Sequence, residues 1–109
     1  MGLDIRFTMR EKTICPHCGE VIGHKELNTF DSCGRAWYPI LKKIGYYVPY
    51  EQRTEENDWY GKDMVLSNEQ ANDVYQWLKK HDVYDGDHIK VLISSALYEG
   101  ADIVINADW

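Results

Sequence analysis

Leu3, Ile5, Phe7 and Met9 alternate with Asp4, Arg6, Thr8 and Arg10. Side chains of a strand point to opposite faces in turn, so the pattern predicts a half-buried strand with the four apolar residues facing a core. The run Ile103-Val104-Ile105-Asn106-Ala107-Asp108-Trp109 predicts a second strand with the composition of a central one. Ile103, Ile105, Ala107 and Trp109 share one side, and pairing with the first strand is expected. An aromatic last residue predicts a packed C-terminus.

Between these strands the apolar spacing is helical. Ala36, Trp37, Ile40, Leu41 and Ile44 form a stripe within Ser32 to Ile44. Pro39 interrupts it, and an interior proline costs about 3 kcal/mol. The helix therefore begins near Tyr38 with Pro39 in its first turn, or a single turn from Asp31 precedes a kink. Gly45 is the expected C-terminal cap. Ser67-Asn68-Glu69-Gln70 reads as a capping box, with Leu66 packing on Ala71 as its staple. Ala71, Val74, Tyr75 and Leu78 continue that helix, and Lys79-Lys80-His81 close it. A third helix is expected after Asp85-Gly86-Asp87, with Asp87 as N-cap, Ile89, Leu92, Ile93, Ala96 and Leu97 as buried face, and Gly100 as its end.

Two stretches lack periodicity. Tyr46-Tyr47-Val48-Pro49-Tyr50 reads as a short edge strand, where proline is tolerated. It leads into an acidic, aromatic loop over Glu51 to Gly61. The segment from Ile14 to Cys33 reads as a loop of a length uncommon in compact domains, which favours a metal cross-link inside it. The fold class is α+β: one domain over residues 1–109, a small, mainly antiparallel sheet, about three helices on one face, and a zinc-knuckle-like turn after the first strand.

Composition sharpens this picture. Hydrophobic residues make up 44% and aromatics 13% of the 109 residues, which suits a globular chain. No apolar run approaches the ~20 residues of a membrane span, and no apolar signal core opens the chain. The expected setting is cytoplasmic. Eighteen acidic residues against 12 basic ones give a formal charge of −6. Duplex binding draws on Lys and Arg neutralising phosphates, so duplex nucleic acid is not an expected partner. Lys42-Lys43 and Lys79-Lys80 complement helix dipoles instead.

The sharpest chemical motif is Cys15-Pro16-His17-Cys18-Gly19. Pro16 fixes φ after the first thiol, and Gly19 tolerates the positive φ that such a turn needs. Two sulfurs can then face one metal ion. Structural zinc takes four Cys or His ligands, so Cys33 and His24 are the candidates to complete Cys15 and Cys18. Such zinc is expected to contribute folding free energy. His17 is expected to point outward. The bland alternatives are a solvated His24 and a small buried Cys33. The tetrapeptide also resembles the active site of thiol oxidases of the thioredoxin superfamily. There a helix N-terminus stabilises the first thiolate. Gly19 and Gly23 make poor helix material after Cys18, so a thiol–disulfide enzyme using Cys15 and Cys18 is the alternative reading. Three cysteines, an odd number, argue against a pure disulfide framework.

Other chemistry is sparse. Asp85-Gly86-Asp87-His88 reads as a turn and cap rather than a calcium loop, because further acidic ligands are absent. Ser94-Ser95 read as polar helix-face residues. Asp4, Asp102 and Asp108 can share one sheet region, most simply as solvated strand-edge charges. In the acidic loop, Tyr50, Glu55, Glu56, Asp58 and Trp59 are candidate partner-binding residues. Carboxylates steer association and aromatic rings anchor a desolvated interface. The competing reading places Trp59 in the core.

Met1-Gly2-Leu3-Asp4-Ile5, the helical segment closing with Ile44-Gly45, and the ending Asp102 to Trp109 resemble small, uncharacterised acidic proteins of tailed phages and prophages. The resemblance implies no catalytic residues. It implies a phage or mobile-element origin, with action by binding a host or defence protein inside an infected cell. The expected function is that of a non-catalytic, zinc-stabilised binding protein that modulates or inhibits a partner with a basic surface. The oligomeric state is left open by the sequence.

Overall fold

The computed structural model describes residues 3–109, so Met1 and Gly2 of the phage resemblance lie outside it. The elements run β1 (Asp4–Ile14), β2 (Val21–Cys33), a 3-10 turn (Arg35–Trp37), α1 (Tyr38–Lys43), a second 3-10 turn (Tyr50–Gln52), β3 (Met64–Val65), α2 (Asn68–Leu78), α3 (Gly86–Glu99) and β4 (Asp102–Asp108). The strands form one antiparallel sheet in the order β2-β1-β4-β3. The fold is α+β, as the periodicities predict.

The alternation in β1 places Leu3, Ile5, Phe7 and Met9 in the core, with Ile103, Ile105 and Ala107 of β4 beside them. The helices cover this face through Ile40, Leu41, Val74, Leu78, Ile89, Leu92 and Ile93. The opposite face carries Asp4, Arg6, Thr8 and Arg10 beside Asp31, Asn106 and Asp108 and stays open. The capping box forms in full. The Ser67 hydroxyl accepts from Gln70 N at 3.1 Å, and Gln70 Oε1 accepts from Ser67 N at 2.9 Å. Gln70 Nε2 also donates to Ile44 O at 2.8 Å, tying the start of α2 to the end of α1.

Three expectations are corrected and one open choice is decided. The segment from Ile14 to Cys33 is not an irregular loop: most of it is β2, which pairs with β1 along its whole length. It is a regular strand whose inner backbone groups bond to β1, so the argument from loop length to a metal cross-link falls away. The edge strand is Met64–Val65 rather than Tyr46–Tyr50, which runs without strand pairing into the second 3-10 turn. The choice left open for the first helix is decided for its first alternative: the helix starts at Tyr38, with Pro39 in its first turn, where the missing N–H costs nothing. The third helix is preceded by Asp85, at φ 57°, and not by Asp87, which lies in the first turn.

β4 pairs with β1 only from Asp4 to Arg10. Beyond Arg10 the β1–β2 hairpin continues as a two-stranded arm to its turn at residues 15–20. The described chain measures 47 × 33 × 23 Å, with a radius of gyration of 14.6 Å. A compact domain of this length has a radius near ~13 Å, and the arm accounts for the excess.

Candidate functional site

The Cys15–Gly19 motif forms the turn at the tip of the arm. Cys15 N donates to Glu20 O at 2.8 Å and closes the hairpin, and Gly19 N donates to Cys15 O at 2.9 Å. Gly19 sits at φ 73°, a conformation an L side chain resists. The chain thereby folds back around Cys15. The backbone N–H of Cys18, then that of His17, then the Cys18 thiol donate toward the Cys15 sulfur and lower its pKa below the ordinary thiol value. Such donors stabilise the thiolate, the form that ligates metal. Cys15 is half-buried and Cys18 exposed. No helix follows the pair; the next one starts at Tyr38.

The four-residue ligand set is not assembled within one chain. Cys33 lies opposite Asp4 at the far end of the ladder, while the knuckle begins after Ile14. Ten residues of strand separate those ends, about 33 Å. His24 faces Lys12, below the Ile14–Val21 pair, and is exposed. Among the described residues, no three of His, Cys, Asp and Glu converge as metal ligands. The tip therefore offers two thiols, half of a tetrahedral set.

The other candidate surface lies at the opposite pole. Gly61 N donates to Ala107 O at 2.8 Å, which brings the end of the 46–61 segment to the Asp4–Asp108 end of the sheet. Tyr46 is fully buried there. Its hydroxyl donates to Lys62 O at 2.7 Å and accepts from Ala107 N at 2.8 Å. Burial pushes the Tyr46 pKa up, against the pull of the Ala107 and Lys62 backbone. Trp109 packs edge-on against Tyr47 at 5.1 Å and Tyr60 at 4.9 Å, with the Arg53 guanidinium over its ring at 5.7 Å. Arg53 also donates from Nε and Nη2 to Val48 O, at 3.2 and 3.0 Å.

On this base the predicted contact residues divide. Trp59 packs half-buried against the core, 6.4 Å from Tyr46, and belongs to the foundation. Asp58 is half-buried, and its carboxylate accepts from Tyr60 N at 3.2 Å. Tyr50, 82% exposed, and the exposed Glu55 and Glu56 face solvent. The turn that presents the two glutamates is closed by Thr54 N donating to Asn57 Oδ1 at 2.7 Å. Sequence reasoning missed Tyr46, Arg53 and Trp109 as the parts that fix this loop. The available signal was two adjacent tyrosines and a terminal tryptophan, which names aromatics but not their partners.

Of the remaining expectations, Asp85 and His88 pair side chain to side chain, and His88 stacks on Phe30 at 5.2 Å. Asp4 and Asp108 are adjacent across the ladder on the open face, whereas Asp102 pairs with Arg10 near its other end. No helix among the described residues is long and apolar enough to cross a membrane. No family model, curated protein or solved structure matches the chain.

Proposed function

We propose that this chain is a non-catalytic binding protein that carries zinc at Cys15 and Cys18 and engages a partner protein with a basic surface through the loop bearing Tyr50, Glu55 and Glu56. The observation that carries the reading is the construction of that loop. Its charged and aromatic tips are exposed, while Trp59, Tyr60, Trp109 and Arg53 lock its base. A preformed loop loses less entropy on binding than a mobile one. Carboxylates on it steer a basic surface into contact. The resemblance of the chain ends to phage proteins makes a host or defence protein, including one with a nucleic-acid groove, the natural target.

Zinc at the knuckle is supported by two thiols in one turn with N–H donors directed at Cys15. The thiol–disulfide alternative shares those donors but lacks the helix N-terminus that such enzymes use.

The experiment is co-purification from a bacterial host lysate with wild type and with the double variant Glu55→Lys, Glu56→Lys. The double variant is expected to fold with a stability change under ~0.5 kcal/mol, since both side chains are exposed. It is expected to associate more slowly with whatever the wild type retains, with a weaker salt dependence. Equal association rates at low salt would remove the loop from the interface.

A further inference from the structure

Among the described residues, no third strand pairs with the arm that carries the Cys15–Cys18 turn. Its base at Glu11, Lys12 and Leu27 faces Glu99 to Asp102, and beyond that it is a two-stranded ribbon of a kind marginal in water without something to pack against. Ile14, Val21 and Ile22 at its end are 50%, 48% and 64% exposed. Lys12 and Lys25 offset Glu11 and Glu20 on the same stretch, so the arm is close to neutral although the chain is acidic. Its two thiols supply half of what zinc takes, and no third ligand stands beside them among the described residues.

We propose that the missing half is a second copy of this chain, with one zinc ion held by Cys15 and Cys18 of each of two copies meeting tip to tip. The inference rests on the zinc reading above. A two-fold axis through the metal makes the contact self-complementary, so each knuckle provides the two ligands its neighbour lacks. Pro16 and the positive φ of Gly19 set the two sulfurs before the metal arrives. The meeting also covers Ile14, Val21 and Ile22 of both arms. Like charge does not oppose it at the contact, because the acidic loops lie at the far pole of each copy. Coordination turns thiols into thiolates, so up to four protons pass to solvent for each zinc bound.

The test uses the full chain, reduced and metal-free, titrated with zinc chloride. Metal content is read by elemental analysis and mass by sedimentation. The expected result is one zinc per two chains and a dimer that a chelator returns to monomer. Cobalt(II) in place of zinc should give the spectrum of a tetrahedral four-thiolate site. Cys18→Ser should abolish both metal uptake and dimer, and Cys33→Ser should leave both unchanged. One zinc per monomeric chain would overturn the bridge and leave the zinc reading standing. No zinc uptake by a folded chain would overturn both. A dimer that persists in Cys18→Ser would show that the copies meet without the metal.

Discussion

The two poles of this molecule are organised by opposite means. At the pole that carries the 46–61 segment, here called the clasp, Tyr46, Tyr47, Trp59 and Trp109 pack on one another and on the core, Tyr60 meets the edge of Trp109, and the Tyr46 hydroxyl satisfies backbone groups from two segments. At the tip, local hydrogen bonds and one glycine conformation set two cysteines in an otherwise solvent-exposed turn. The first pole is held by burial. The second is held by backbone contacts within the turn itself. A residue at the clasp is therefore expected to act mainly on folding, and, on the proposed zinc bridge, a residue at the tip mainly on association.

The largest effect that tests this contrast comes from Tyr46. Tyr46→Ala should cost about 3–5 kcal/mol by opening a cavity in the core. Tyr46→Phe should cost about 1–3 kcal/mol, because Ala107 N–H and Lys62 C=O lose their partner. Urea unfolding of the metal-free protein measures both. The double variant Cys15→Ser, Cys18→Ser should shift the same metal-free transition by less than ~0.5 kcal/mol, since the tip touches no core residue. A loss comparable to that of Tyr46→Ala would erase the distinction between the poles.

The smallest effect belongs to His88. The Asp85 carboxylate, hydrogen-bonded to the ring and adding its charge, raises the His88 pKa above its ordinary value. A raised histidine pKa makes its stabilising share complete below the unfolded-state value, and that share is lost as pH rises through the folded one. A proton-detected titration should show the His88 midpoint fall toward the ordinary histidine value in Asp85→Asn. An unchanged midpoint would remove the pair from the account of this end of α3.

The legibility of the sequence follows burial. β1, β4 and α2 were readable because each has one buried face, which writes an alternation or a helical stripe into the chain. β2 was not. Its inward positions opposite Met9, Phe7 and Ile5 are Asn28, Phe30 and Ser32, so two of three are polar. Ser32 is nevertheless buried, because its hydroxyl donates to Tyr84 O and accepts from Trp37 Nε1 at 3.0 Å. A long-range pairing of that kind has no local signature. Past Asn28 the strand has no core to face and shows no period. Cys15 and Cys18 were legible as a pair because a turn is local. Cys33 was not excluded by the sequence, because only the register of a hairpin shows that it lies at the far end.

The register of that hairpin has one further consequence. β2 is an edge strand of 13 residues, and its outer hydrogen-bonding groups face no neighbour in the sheet. A long, flat, apolar edge invites endless addition of further chains, the route to fibres. Here the pairing slips between Met9 and Arg10 and again between Thr13 and Ile14, which bends the ribbon out of flatness. Lys25, Glu26 and Asp31 place charge along the same edge. The irregular ladder opposes polymerisation, so that on the proposed tip-to-tip pairing an arm that meets one symmetric copy does not become a template for an unlimited series.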